Sequence, residues 1–103
     1  MTYTLRFLEE VEDDAHSAST WYEERHTGLG DEFLEAFFES ARQITAGPLL
    51  YEEVHGDIRR RLMRRFPYAI YFMMEEANII IVGLFHCARD PRTIESEVAT
   101  RSV

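Results

Sequence analysis

Lysine is absent from this 103-residue chain, cysteine occurs once and proline three times. Without lysine, all 11 cations are arginines, whose planar fork suits bidentate contact with a carboxylate or a phosphate. The lone Cys87 excludes an internal disulfide and agrees with a reducing compartment. The opening "MTYTLRFLEE" has no basic leader followed by an apolar run. No apolar stretch approaches the ~18 residues of a membrane span, so the expectation is a cytoplasmic protein without a membrane partner. The histidines at 16, 26, 55 and 86 lack metal-ligand spacing, and neither a glycine-rich phosphate loop nor an H-E-x-x-H pattern occurs. No metal and no cofactor is expected.

What is present is the composition of a folded protein, 46% hydrophobic and 13% aromatic, where a disordered chain would be poorer in Phe, Tyr and Ile. A chain of this length suits one domain, residues 1–103, that buries roughly 60 to 70% of its unfolded surface. The charge is divided unevenly. Residues 1–57 carry 14 carboxylates against three arginines, a balance of −11, and residues 58–103 carry five against eight, a balance of +3. Five of the arginines fall between Arg59 and Arg65, inside "DIRRRLMRRFPYAIYF".

The pattern along the chain predicts an α+β fold in the order β-α-α-β-β-β. Tyr3, Leu5 and Phe7 alternate with Thr4 and Arg6, the period of a half-buried strand. From Glu9 to about His26, Val11, Ala15, Ala18 and Tyr22 recur at helical spacing behind an acidic first turn. After "TGLGD", Phe33, Leu34, Phe37, Phe38, Ala41 and Ile44 form the stripe of a second helix that ends at "AGP". The short link implies a helical hairpin, and its apolar face requires a sheet to rest on. Residues 58–65, "YAIYFMM" and "IIIVGLFHC" supply three strands, with "EEAN" as the turn before the last. The sheet should be small and mainly antiparallel, with its second face left for a partner or solvent. Residues 93–103 read as a flexible tail.

In a regular strand Arg59, Arg61 and Arg65 share one face and Arg60 and Arg64 the other. One reading puts the helix-facing arginines at strand ends or an edge, where charge deters aggregation; the other puts Arg61 and one of Arg64 or Arg65 on the open face as a recognition patch. His86 and Cys87 are strand neighbours and point apart, so they make no nucleophile–base dyad, and Cys87 is expected to be buried. His86 and Arg89 flank the strand end where "ARDP" begins a loop. Trp21 is expected to pack in the core or between helices.

"WYEERHTGLGDEFLEAF", "RRRLMRRFPYAIYF" and "IIIVGLFHCARDP", in this order and spacing, resemble the RelE/ParE superfamily, the toxins of bacterial type II toxin–antitoxin modules. The resemblance runs from Leu5 to about Arg92. It implies a growth inhibitor, in some systems a plasmid-stabilising one, neutralised by a cognate antitoxin wrapped over the open sheet and helices. Arg59, Arg61, Arg64, Arg65, Tyr71, His86 and Arg89 are its expected partner-binding residues, and a homodimer is a further expected assembly. Members divide by target. Ribosome-dependent ribonucleases cut mRNA with basic residues on the sheet, onto which Arg61, His86 and Arg89 would map; ParE-type members inhibit DNA gyrase. The sequence departs from the ribonuclease pattern in having no lysine and no tyrosine after Tyr71. An acidic protein is also repelled by a phosphate-lined target, so the gyrase reading is preferred over mRNA cleavage on the ribosome. A non-toxic, antitoxin-binding member would have the same fold.

Overall fold

A computed structural model describes residues 2–101. The first strand, β1 (Thr4–Phe7), leads into helix α1 (Glu9–Arg25), whose first turn holds Glu9, Glu10 and Glu12 where the helix dipole favours carboxylates. Helix α2 (Leu29–Ile44) follows a tight turn at Gly28, which sits at φ 91°, a left-handed value that glycine adopts without steric cost. No side chain of Gly28 can cap α2, and the carboxylate of Glu23 does so from α1. It accepts the Gly28 N–H at 3.0 Å and the Gly30 N–H at 3.0 Å. These backbone donors hold the Glu23 carboxyl below the ordinary glutamate range, Gly28 first and Gly30 second. The helices touch closely at Gly30, where an added Cβ would lie 2.7 Å from the Ser19 carbonyl oxygen.

A 3-10 turn at Pro48–Leu50 precedes β2 (Glu53–His55), β3 (Ile58–Leu62), β4 (Tyr68–Glu75) and β5 (Asn78–His86), and helix α3 (Pro91–Thr100) follows them. The five strands form one sheet in the order β1-β5-β4-β3-β2, parallel between β1 and β5 and antiparallel elsewhere. The α+β class, the helical hairpin on one face and the mainly antiparallel sheet are as the sequence predicts. The strand β2 and the helix α3 are additions to the predicted order.

The main core lies between the hairpin and the sheet. Phe33, Phe37 and Ile44 of α2 share this core with Ile70 and Phe72 of β4 and with Ile79 and Ile81 of β5, all buried. Each contributes about 1.5–3 kcal/mol of burial relative to exposure. A register shift between Tyr71 and Phe72 inserts Val82 as an extra residue of β5. β5 is covered on both faces, which accounts for its near-continuous apolar run.

Four expectations are corrected. Residues 93–100, expected as part of a flexible tail, belong to α3: Asp90 accepts the Arg92 N–H at 2.9 Å as an N-cap, Pro91 takes the first turn, and Ile94 and Val98 are buried. Residues 102 and 103 of that expected tail lie outside the described residues. The second sheet face is accordingly half covered by α3. Cys87 is exposed, because β5 ends at His86 and the thiol leaves the core there. Trp21 is 49% exposed and carries the Arg25 guanidinium 3.8 Å above its ring, whereas Tyr22 turns inward against Phe33, Phe66 and Tyr68.

Candidate functional site: a cleft on the open face of the sheet

Register decides which arginines reach which face. Arg59 and Arg61 of β3 stand opposite Phe72 and Ile70, both buried beneath the helical hairpin, whereas Arg60 and Leu62 stand opposite Tyr71 and Ala69 on the other face. Arg61 therefore points toward α2 and not to the open face. Its Nη1 donates to the Tyr51 hydroxyl at 3.0 Å, its Nη2 donates to Gln43 Oε1, and its Nε is buried without a hydrogen-bond partner among the described residues. Arg59 shares that side, donating to Tyr51 O at 2.6 Å and lying 3.6 Å from Glu53 Oε1. Two charges tolerated at the helix-facing side are thus at the β2 end of the sheet, where the connecting segment 45–52 supplies oxygen acceptors.

The strand β3 ends at Leu62, so Arg64 and Arg65 belong to the connection into β4. Arg65 pairs with Glu32 of α2 at 2.7 Å and lies over the Phe66 ring. Arg64 is exposed, and its side chain has no hydrogen-bond or ion-pair partner among the described residues. His86 stands opposite Tyr68 with their rings 5.1 Å apart, on the helix-facing side. Its Nδ1 accepts the Ala88 N–H at 2.9 Å, so the neutral ring carries its proton on Nε2. Burial pushes the Tyr68 hydroxyl pKa up, with Tyr22 adding to it. Arg89 is engaged with Glu97 of α3 and lies over the Phe85 ring. The trio Arg61, His86 and Arg89 is not assembled into one site.

What the open face does assemble is a cleft of about 470 Å³ between the β2–β3 hairpin and α3. Leu62, Ala69 and Tyr71 form its floor, Val54 and Ile58 one wall, and Ile94 and Val98 the other. His55 of the hairpin and Glu95 of α3 approach to 3.7 Å across it. Arg60 projects into this cleft with no side-chain partner among the described residues, and Arg89 and Cys87 stand at one end. Three carboxylates, Glu52, Glu53 and Glu95, line it as well. Of the expected partner-binding residues, Tyr71 and Arg89 are on this cleft; Arg59, Arg61, Arg64, Arg65 and His86 are not. Arg60, His55, Leu62 and Cys87 escaped the sequence reading. The cross-strand pairing of Arg60 with Tyr71 would have revealed the first of them, had the register been known.

Fold and cleft define a small α+β protein with a groove on the open face of its sheet. No family model matches the sequence. It is 24% identical over 103 residues to proteins named Toxin ParE2 from two strains of Mycobacterium tuberculosis, H37Rv and CDC 1551, covering 99% of this chain and 98% of each relative. Its fold is similar to that of a chain from the chromosomal ParDE toxin–antitoxin system of P. aeruginosa (TM-score 0.76, 11% identity, 82% of this chain and 96% of that one). It is also similar to a chain of the RelBE2 toxin–antitoxin complex of Mycobacterium tuberculosis (TM-score 0.62, 19% identity, 84% of this chain and 99% of that one). The chain is thus similar over its whole length to proteins named Toxin ParE2, and it shares the fold of chains from ParDE and RelBE2 toxin–antitoxin systems.

Proposed function

We propose that the chain is the toxin of a type II toxin–antitoxin module, silenced by a cognate antitoxin seated in the open-face cleft, and that its target is DNA gyrase. The whole-length relationship to proteins named Toxin ParE2 is the observation that carries the toxin reading. The antitoxin reading rests on the cleft: an apolar floor, a partly exposed Leu62 and a guanidinium unpaired among the described residues suit a peptide that brings apolar side chains and a carboxylate.

The charge of the cleft favours a protein target over RNA. A phosphate entering it meets Arg60, unpaired among the described residues, Arg89 already engaged by Glu97, and the carboxylates of Glu52, Glu53 and Glu95. Docking on nucleic acid relies on several uncompensated cations, whereas the described lining of this cleft holds Arg60 and an engaged Arg89. The ribonuclease reading keeps one observation in its favour, since His55, Arg60, Tyr71 and Arg89 line one cleft and are residue types that RNA cleavage uses. A parallel assay separates the two. Purified protein should inhibit supercoiling by the gyrase of its native host and should leave translated mRNA intact on that host's ribosomes. Codon-associated mRNA cleavage would reverse the assignment. Expression alone should slow bacterial growth and co-expression of the adjacent antitoxin frame should restore it; folded protein without effect on growth or on either target would mark a non-toxic member.

A further inference from the structure

The central strand β5 is hydrogen-bonded to β4 along its length, but β1 accompanies it only from Asn78 to Ile81. The Leu8 N–H adds one more bond, to Ile81 O at 3.1 Å. From Val82 to His86 the outer edge of an apolar strand has no strand beside it among the described residues. At this gap Val82 O accepts from Arg101 Nη1 at 2.8 Å, and the Leu84 N–H donates to Asp14 Oδ2 at 3.2 Å. The two side chains arrive from different elements, Asp14 from α1 on one face and Arg101 from the end of α3 on the other. They join through two hydrogen bonds of 2.7 and 3.0 Å, with side-chain exposures of only 15% and 10%.

We propose that the Asp14–Arg101 pair is a latch that closes the Val82–His86 edge against pairing with a second copy of this chain and at the same time holds α3 on the sheet. A carboxylate oxygen takes the place of a neighbouring strand's carbonyl, and a guanidinium N–H takes the place of its amide. The edge is satisfied without being extended, which is how native sheets avoid edge-to-edge association. The same guanidinium lies 3.6 Å from Glu97 Oε2 and 5.0 Å from the Phe85 ring centroid, tying the last turn of α3 to β5. Withdrawal of Arg101 frees Val82 O and leaves the Leu84 N–H on an Asp14 carboxylate that has lost its fork, free to turn to solvent, beside the apolar stretch "IVGLF". Two identical edges can then pair antiparallel about a two-fold axis, a self-complementary contact. Burial by itself would lower the Arg101 pKa, but the Asp14 hydrogen bond and charge, with Glu97 and Glu10, raise it, so the guanidinium stays charged at neutral pH.

The test is amide hydrogen exchange and solution mass on the full chain carrying Arg101→Ala, Arg101→Lys or Asp14→Ala. In Arg101→Ala, exchange at Leu84 and at residues 92–99 should accelerate by about tenfold or more while the amides of Ile70 and Phe72 keep their wild-type protection. Its mass should rise above that of wild type as concentration increases. Arg101→Lys should fall between, because one ammonium cannot reproduce both the fork on Asp14 and the bond to Val82 O. If Arg101→Ala proves insoluble, Asp14→Ala provides the same readouts. Wild-type exchange at Leu84, uniform acceleration over the whole sheet, or wild-type mass at every concentration despite local release would each overturn the proposal.

Discussion

The two faces of β3 carry adjacent arginines with opposite fates. On the helix side, Arg59 and Arg61 are held by Tyr51, Gln43 and Glu53, and they tie the connection after α2 to the sheet. On the open side, Arg60 has no side-chain partner among the described residues and faces an apolar cleft. Three consecutive residues of one type thus divide into two fasteners and one guanidinium left unpaired among the described residues, because strand geometry alternates their direction. A cation cluster in sequence is not a cluster in space, and counting its charges overstates the positive field available to a partner.

Four substitutions sharpen this contrast. The largest effect is expected away from β3, at the most fully engaged arginine: removing one partner of the largely but not fully buried Asp14–Arg101 pair should cost about 3 kcal/mol in urea unfolding of Arg101→Ala. A loss below about 1 kcal/mol would mean that the pair is solvated and that the contrast between engaged and free arginines is overdrawn. Next, Arg60→Ala should weaken antitoxin binding by about tenfold or more in calorimetric titration while changing stability by less than about 0.5 kcal/mol. Third, Arg61→Ala removes donors to Tyr51 and Gln43 and should lower stability by about 1 kcal/mol with antitoxin affinity unchanged.

The smallest effect is a pH-dependent one at the turn between α1 and α2. Gly28 and Gly30 N–H groups depress the Glu23 pKa in the folded state. A depressed carboxylate stabilises the fold above its unfolded pKa of about 4.3, and the contribution disappears as pH falls through the lower folded value. Glu23→Gln should therefore lower the melting temperature slightly at neutral pH and leave it at the wild-type value in strong acid. An equal difference at both ends of the range would assign the effect to packing at Gly30 rather than to charge.

Much of the fold was legible because its elements have strong periods. The stripe of α2 and the apolar run of β5 can each be satisfied in one way, and the two glycines of "TGLGD" mark the turn between helices. The helix α3 was missed although Asp90 and Pro91 are a cap and first-turn pair and Ile94 and Val98 are one helical turn apart. Its apolar face is only two residues wide, too narrow to stand out. The strand β2 is three residues long with an irregular register and leaves no periodic trace. The site was less legible than the fold for a physical reason. Alternation says that Arg60 and Arg61 oppose one another, but which of them faces the helices depends on cross-strand register, here Arg61 against Ile70. The edge beyond β1 is likewise invisible locally, since Asp14 and Arg101 are joined across 87 positions.

The most direct test of the division of β3 compares Arg60→Ala and Arg61→Ala side by side, with antitoxin affinity and melting temperature measured on each. Arg60→Ala should lose about tenfold or more in affinity at a wild-type melting temperature, and Arg61→Ala should melt earlier at wild-type affinity. Loss of affinity in Arg61→Ala with Arg60→Ala binding as wild type would contradict the account and return recognition to the helix-facing side.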